Sequence, residues 1–356
     1  MNNNVTISQL KNIVHRLHER NRLADLSIYV SGPPGIGKSA LFHQLADELK
    51  AKHEVYLACT MDPTDVSGVP YPIQEQGVTR FLPPERLLLL TEYAATPPPF
   101  TVACFDDLPA CPDQVFAALF RFFYERHVGE YRVRDNVLLC ATGNRATDQA
   151  GAKELPSALA NRFVHFELTC DYEEWVRWAT QSSVDPLVIA FIRSTHGRML
   201  HQFDATRGEV CFPSPRSVAS ASLLYQALES EPRLLLSALA GCCGDGWAAA
   251  FLTFSQLKEK IVPVEIIFAS PDSAAVPQEI DVTYAVMSNV VCALARDATA
   301  EKLRASLRYA SRIPEQDIAM RWVLEIVSLI RTDLYSACEE ILTDMHRRFG
   351  RILIPR

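Results

Sequence analysis

The sequence predicts an α/β fold: a parallel sheet with helices on both faces, followed by an all-helical region. Three observations predict it. A glycine-rich loop of phosphate-binding pattern stands between an apolar run and a helix-like run, at residues 31–39. Short apolar runs alternate with helical periodicities as far as residue 170. Beyond Cys170 the alternation stops and helical spacing dominates.

In order along the chain, residues 5–24 read as an amphipathic helix, with Ile7, Leu10, Ile13, Val14 and Leu17 at helical spacing. The first strand is 26–30, and a helix follows the loop from Ala40. Residues 54–58 form the second strand. The stretch 62–85, rich in Pro, Gly and Asp, reads as an irregular insertion. The proline run 97–99 punctuates the entry to a third strand, 101–105. A helix spans 113–126. The alternation in 126–134 suggests a short β-hairpin. Strands four and five are 137–142 and 163–168. Asp171 caps a helix bearing Trp175 and Trp178. Helical periodicity then defines a region 171–262. Residues 263–279, punctuated by Pro263, Pro271 and Pro277, read as a connector, and helices resume from Asp281. The expected division is 1–170, 171–262 and 263–356.

The 356 residues, 48% hydrophobic and 22% charged, have a globular composition and a formal net charge of −7. That balance lacks the basic footprint of a nucleic-acid binder. No apolar run reaches membrane-spanning length. Residues 1–5 carry no signal-peptide pattern, so the expected compartment is the cytoplasm. The ten cysteines include no Cys-x-x-Cys pair and read mostly as small buried hydrophobes in a reducing compartment.

The loop fits Gly-x-x-x-x-Gly-Lys-Ser/Thr from Gly32 to Ser39. In a strand–loop–helix context its glycines let backbone N–H groups wrap a polyphosphate, and the helix start adds partial positive charge. Lys38 would reach the β- and γ-phosphates, and Ser39 would ligate Mg²⁺. The binding segment is Gly32, Pro33, Pro34, Gly35, Ile36, Gly37, Lys38, Ser39 and Ala40. The third strand ends in Asp106 and Asp107. An acid at that place can hold Mg²⁺ through water, the role expected of Asp106, and Asp107 could polarise an attacking water. Acids also cap strand ends without further function. Directly after strand four, Asn144 could hydrogen-bond that water or the γ-phosphate; Gly-Asn is also an ordinary turn pair.

Together these stretches resemble a family. GPPGIGKS at 32–39, FDDLPACPDQVFAALFRFF at 105–123, ATGNR at 141–145, ELPSALANRFVHFEL at 154–168 and FPSPRS at 212–217 are similar to AAA+ ATPases of the MoxR and dynein-related branch. MDPTDVSGVPYP at 61–72 resembles the insertion that branch carries after its second strand. The resemblance spans roughly residues 5–260 and implies a P-loop AAA+ core with a five-stranded parallel sheet in the order 5-1-4-3-2, an α-helical lid and a helical C-terminal extension. It implies ATP and Mg²⁺ as ligands. It makes Arg162 an arginine finger acting in trans on a neighbouring subunit's nucleotide, where the bland alternative is a helix-capping arginine. It makes Arg216 the second sensor; otherwise Arg216 is a solvated residue at a helix start. Arg145 reads either as a second interfacial arginine or as a surface charge, and His127 as structural. The hairpin before strand four resembles one the branch inserts there. Where the family usually has Glu after the Mg²⁺-binding Asp, this chain has Asp107, one methylene shorter.

The resemblance further implies a ring-forming homo-oligomer, a hexamer, with chaperone-like action on a protein partner bearing a von Willebrand A-type domain. No Asp-x-Ser-x-Ser pattern of such a domain occurs in the chain. Two other readings stay open: a nucleic-acid motor or restriction-type NTPase subunit similar to the McrB GTPases, and a nucleotide-gated scaffold with slow turnover.

Overall fold

A computed structural model describes residues 3–94, 96, 100–148, 153–330 and 334–349. The proline run 97–99 lies outside them. The chain divides into two compact units, one of Met1–Cys170 with Phe203–Glu209, the other of Asp171–Gln202 with Val210–Arg356.

The first unit contains, in order, β1 (Asn4–Val5), α1 (Ile7–Glu19), β2 (Ser27–Ser31), α2 (Lys38–Glu48), β3 (Lys52–Leu57), α3 (Pro63–Ser67), β4 (Val69–Ile73), β5 (Val78–Leu82), α4 (Glu85–Leu88), β6 (Thr101–Asp106), α5 (Asp113–Glu125), β7 (His127–Val128), β8 (Tyr131–Arg132), β9 (Val137–Gly143), α6 (Ser157–Ala160) and β10 (Phe163–Leu168). The main sheet runs β1-β10-β2-β9-β6-β3, all neighbours parallel. Its five longer strands stand in the expected order. The sixth, β1, was not expected; it pairs outside β10, with Asn4 opposite Glu167.

β2, β6 and β9 are near-continuously apolar because both of their faces are covered. Successive side chains alternate between the faces. Ile28, Val30, Val102, Cys104, Leu138 and Cys140 meet Leu10, Leu41, Phe42 and Leu45 of α1 and α2. Tyr29, Ala103, Phe105, Leu139 and Ala141 meet Phe116, Leu119, Phe122 and Phe123 of α5 on the other side. Cys104 and Cys140 are buried here as expected.

Three expectations are corrected. The first helix begins at Ile7, not residue 5, because Thr6 and Gln9 form a reciprocal capping box. It ends at Glu19, and the rest of 5–24 lies outside it. The 62–85 stretch is regular: α3 is followed by the antiparallel β4–β5 hairpin, Val69 opposite Leu82 and Ile73 opposite Val78. Pro70 and Pro72 hid this strand from composition. Being two residues apart, they sit on one side of the strand, and in a two-stranded hairpin that side can be the free edge, where a missing N–H breaks no ladder bond. The hairpin over 126–134 is present as β7–β8.

The second unit is helical: α7 (Tyr172–Gln181), α8 (Pro186–Ser194), α9 (Pro215–Leu228), α10 (Pro232–Cys243), α11 (Asp245–Ser255), α12 (Val264–Ala269), α13 (Ile280–Arg296), α14 (Ala300–Ala310), α15 (Gln316–Ser328) and α16 (Tyr335–Phe349). Asp171 caps α7 by accepting from Glu174 N at 3.0 Å. The third correction is α12, inside the expected connector. Pro263 precedes its first residue, where a proline's missing N–H is harmless. α13 is buried along most of its length. Val286, Val290 and Leu294 form one core with Leu303 and Leu307 of α14 and Trp322, Val323 and Ile326 of α15. No helix among the described residues is long and apolar enough to cross a membrane.

Candidate functional site

Three adjacent strands, β2, β9 and β6, end side by side, and the chain leaving each carries polar groups. Such carboxyl-terminal edges are where ligands bind in parallel α/β sheets. The loop after β2 turns through Gly35 (φ +77°) and Gly37 (φ +108°), conformations a side chain at Cβ disfavours. α2 then begins at Lys38, with Gly37 at its cap and no side-chain cap bond. Ile36 anchors the loop in the core below.

Lys38 is 8% exposed. Its ammonium donates to Gly32 O at 2.9 Å, Pro33 O at 3.1 Å and Asn144 Oδ1 at 2.7 Å. The sequence-predicted lysine and amide therefore meet, although 106 positions separate them. Beside them Ser39 Oγ donates to Asp106, 2.8 Å from Oδ1 and 2.9 Å from Oδ2. Thr142 Oγ1 donates to Asp106 Oδ1 and accepts from Asp107 N at 3.4 Å. An all-oxygen set of one carboxylate and neighbouring hydroxyls suits a hard cation such as Mg²⁺, which keeps several waters and takes few protein ligands. Asp107 has left-handed backbone geometry (φ +53°). Burial, then the Asp107 charge, pushes the Tyr29 hydroxyl pKa well up, so that group stays neutral.

Thr142 was not among the sequence-predicted site residues. Its signal was present in ATGNR, where a hydroxyl precedes Asn144 by two positions at the end of a buried strand. Gly143 was missed too. A Cβ there would lie 2.3 Å from Pro109 Cδ and 2.5 Å from Tyr29 Oη. Gly143→Ala is expected to lower stability by about 1–3 kcal/mol through overpacking. It should also shift Asn144, and so weaken nucleotide binding, which thermal unfolding and a nucleotide titration together would show. Unfolding like that of the parent would refute the close-packing account.

The arginines are placed differently. Arg162 follows α6 and lies over the Tyr124 ring of its own chain, 3.7 Å from the centroid, with Phe120 at 5.8 Å. Arg145 is paired internally, at 2.7 Å with buried Asp148 and 2.9 Å with Glu167, so it is neither a free surface charge nor a free interfacial one. Arg216 is exposed in the first turn of α9, whose start is fixed by a Ser214–Ser217 capping box in the second unit. A ring nitrogen of His127 lies 2.6 Å from the carbonyl of Glu125.

Residues 27–163 match the family model of the AAA domain, dynein-related subfamily. That span holds every site residue above except Arg216. No curated protein matches the chain. Among solved structures, a "putative ATPase" from Cytophaga hutchinsonii is 15% identical, covering 96% of this chain and 94% of that one, with TM-score 0.32. The Holliday junction branch migration motor RuvB of Thermotoga maritima is 12% identical over 75% of each chain, with TM-score 0.35. The first unit is thus a parallel-sheet P-loop AAA core, and helices follow it.

Proposed function

From that AAA match we propose that the chain is a ring-forming ATPase of MoxR type. It would couple ATP binding and hydrolysis to remodelling or assembly of a partner protein with a von Willebrand A-type domain. Residues 171–262 would serve as its lid and 263–356 as an extension. One observation carries the ATPase reading: Lys38 and Asn144 from two strand ends converge beside the Ser39–Asp106 pair.

Bound ATP would supply the transferable phosphoryl group, and Mg²⁺ would neutralise its charge. The chain's own groups would do the rest. Lys38 exchanges loop carbonyls for phosphate oxygens, and the loop N–H groups hold the remainder. Ser39 and Asp106 hold the cation, with Thr142 fixing the carboxylate. Asp107 accepts a proton from the attacking water, and Asn144 orients that water. Arg162 from a neighbouring subunit and Arg216 stabilise the developing charge. The internal pairing of Arg145 supports Arg162 as the finger, since Arg145 would first have to leave two carboxylates.

Asp107→Asn is the test. The variant is expected to bind ATP and Mg²⁺, to hydrolyse ATP much more slowly, and to persist as a large homo-oligomer by light scattering. Used as bait in the native host, it should retain a protein with a von Willebrand A-type domain. Turnover at the parent rate sinks the role of Asp107. Stoichiometric nucleic acid without a protein partner would favour a motor instead.

A further inference from the structure

We infer that the second unit contains a binding site for a carboxylate carried on a short apolar stem. The site is a cavity of about 240 Å³ walled by α7, α8, α13 and α15, with no part in the ATP chemistry above.

Its charges are unevenly matched. Arg193, 6% exposed, holds Glu325 through both terminal nitrogens, Nη2 at 2.6 Å. Arg321 donates to Tyr172 Oη at 2.9 Å and to Glu173 Oε1 at 3.3 Å. Arg177 lines the same cavity and is exposed, and it makes no ion pair among the described residues. Three guanidiniums thus face two carboxylates, leaving one positive charge in excess.

The rest of the wall selects among anions. Val176 and Leu324 line the cavity beside Tyr284 and give it an apolar surface that a bare oxyanion leaves uncovered. A carboxylate on an aryl or alkyl stem fits both halves. Its oxygens take charge-assisted hydrogen bonds from Arg177 and Arg321, and its carbon atoms cover the apolar wall. Inorganic phosphate satisfies only the first half.

Calorimetric titration of the full chain tests this with phenylacetate, acetate and inorganic phosphate. Phenylacetate is expected to bind at one site, and the other two roughly tenfold or more weakly, as loss of a buried aryl stem requires. Arg177→Gln with Arg321→Gln should weaken phenylacetate at least about tenfold. Arg177→Gln alone removes a guanidinium that has no ion-pair partner among the described residues, so it weakens binding without unfolding the unit. A blocked dipeptide ending in phenylalanine, as free acid and as amide, separates the sources. An acid peptide binding tighter than phenylacetate assigns the site to a polypeptide C-terminus, and the reverse assigns it to a free small acid. The inference is overturned if no carboxylate binds, if phosphate equals phenylacetate, if the amide binds like the acid, or if the arginine variants bind like the parent.

Discussion

Lys38→Ala is expected to abolish tight ATP binding while leaving the fold intact. The ammonium sits almost wholly inside the loop and is shared among two loop carbonyls and Asn144. It is the cation that the phosphate-binding loop itself supplies. Two charge-assisted hydrogen bonds to phosphate oxygens contribute about 1.5–3 kcal/mol each, so their loss weakens binding by at least about 100-fold. The truncation also leaves Asn144 Oδ1 without its donor, so the amide no longer has a fixed direction. Fluorescent-nucleotide titration beside circular dichroism measures both halves of the claim. Parent-like affinity in a folded variant would remove the nucleotide site from this loop.

Arg162→Ala is expected to bind nucleotide almost as the parent does and to lose hydrolysis, because a finger acting in trans is worth on the order of 10³–10⁵ in rate. The stacking on Tyr124 gives this residue a second, smaller role. Its loss costs about 0.5–2 kcal/mol of stability, far less than the rate effect. Arg162→Lys keeps the charge but not the planar fork, and should not restore turnover. The decisive measurement mixes Arg162→Ala with Lys38→Ala. Each variant supplies the half-site the other lacks, so co-assembled rings should regain part of the activity. Demonstrated co-assembly without recovery would place the finger elsewhere.

Much of the first unit was legible because its signals are local. Continuous apolar runs gave the buried strands, and the glycine-rich loop gave the junction of β2 and α2. What escaped depended on partners distant in sequence. β1 is two residues long and exists only because β10 offers an edge, so no periodicity could show it. β4 was masked by two prolines whose harmlessness depends on which side of the strand they occupy. At the site, the amide and lysine were both readable, but not that they bond to each other. Thr142 was hidden by its environment, a hydroxyl inside a wholly buried strand that reads as packing until Asp106 is placed beside it. The Thr6–Gln9 capping box was written plainly in the sequence and would have fixed the start of α1.

The β4–β5 hairpin bears Val69, Tyr71, Phe81 and Leu82 in the open, each about half exposed. Apolar strands so displayed invite other chains to add themselves edge to edge, the route by which proteins precipitate as fibres. The prolines that concealed β4 from sequence reading also obstruct that route along the outer edge of β4. With two N–H groups missing from one side, an incoming strand finds gaps in the ladder it would need. The hairpin can therefore keep an oily surface reachable by a side chain while the outer edge of β4 stays closed to a strand.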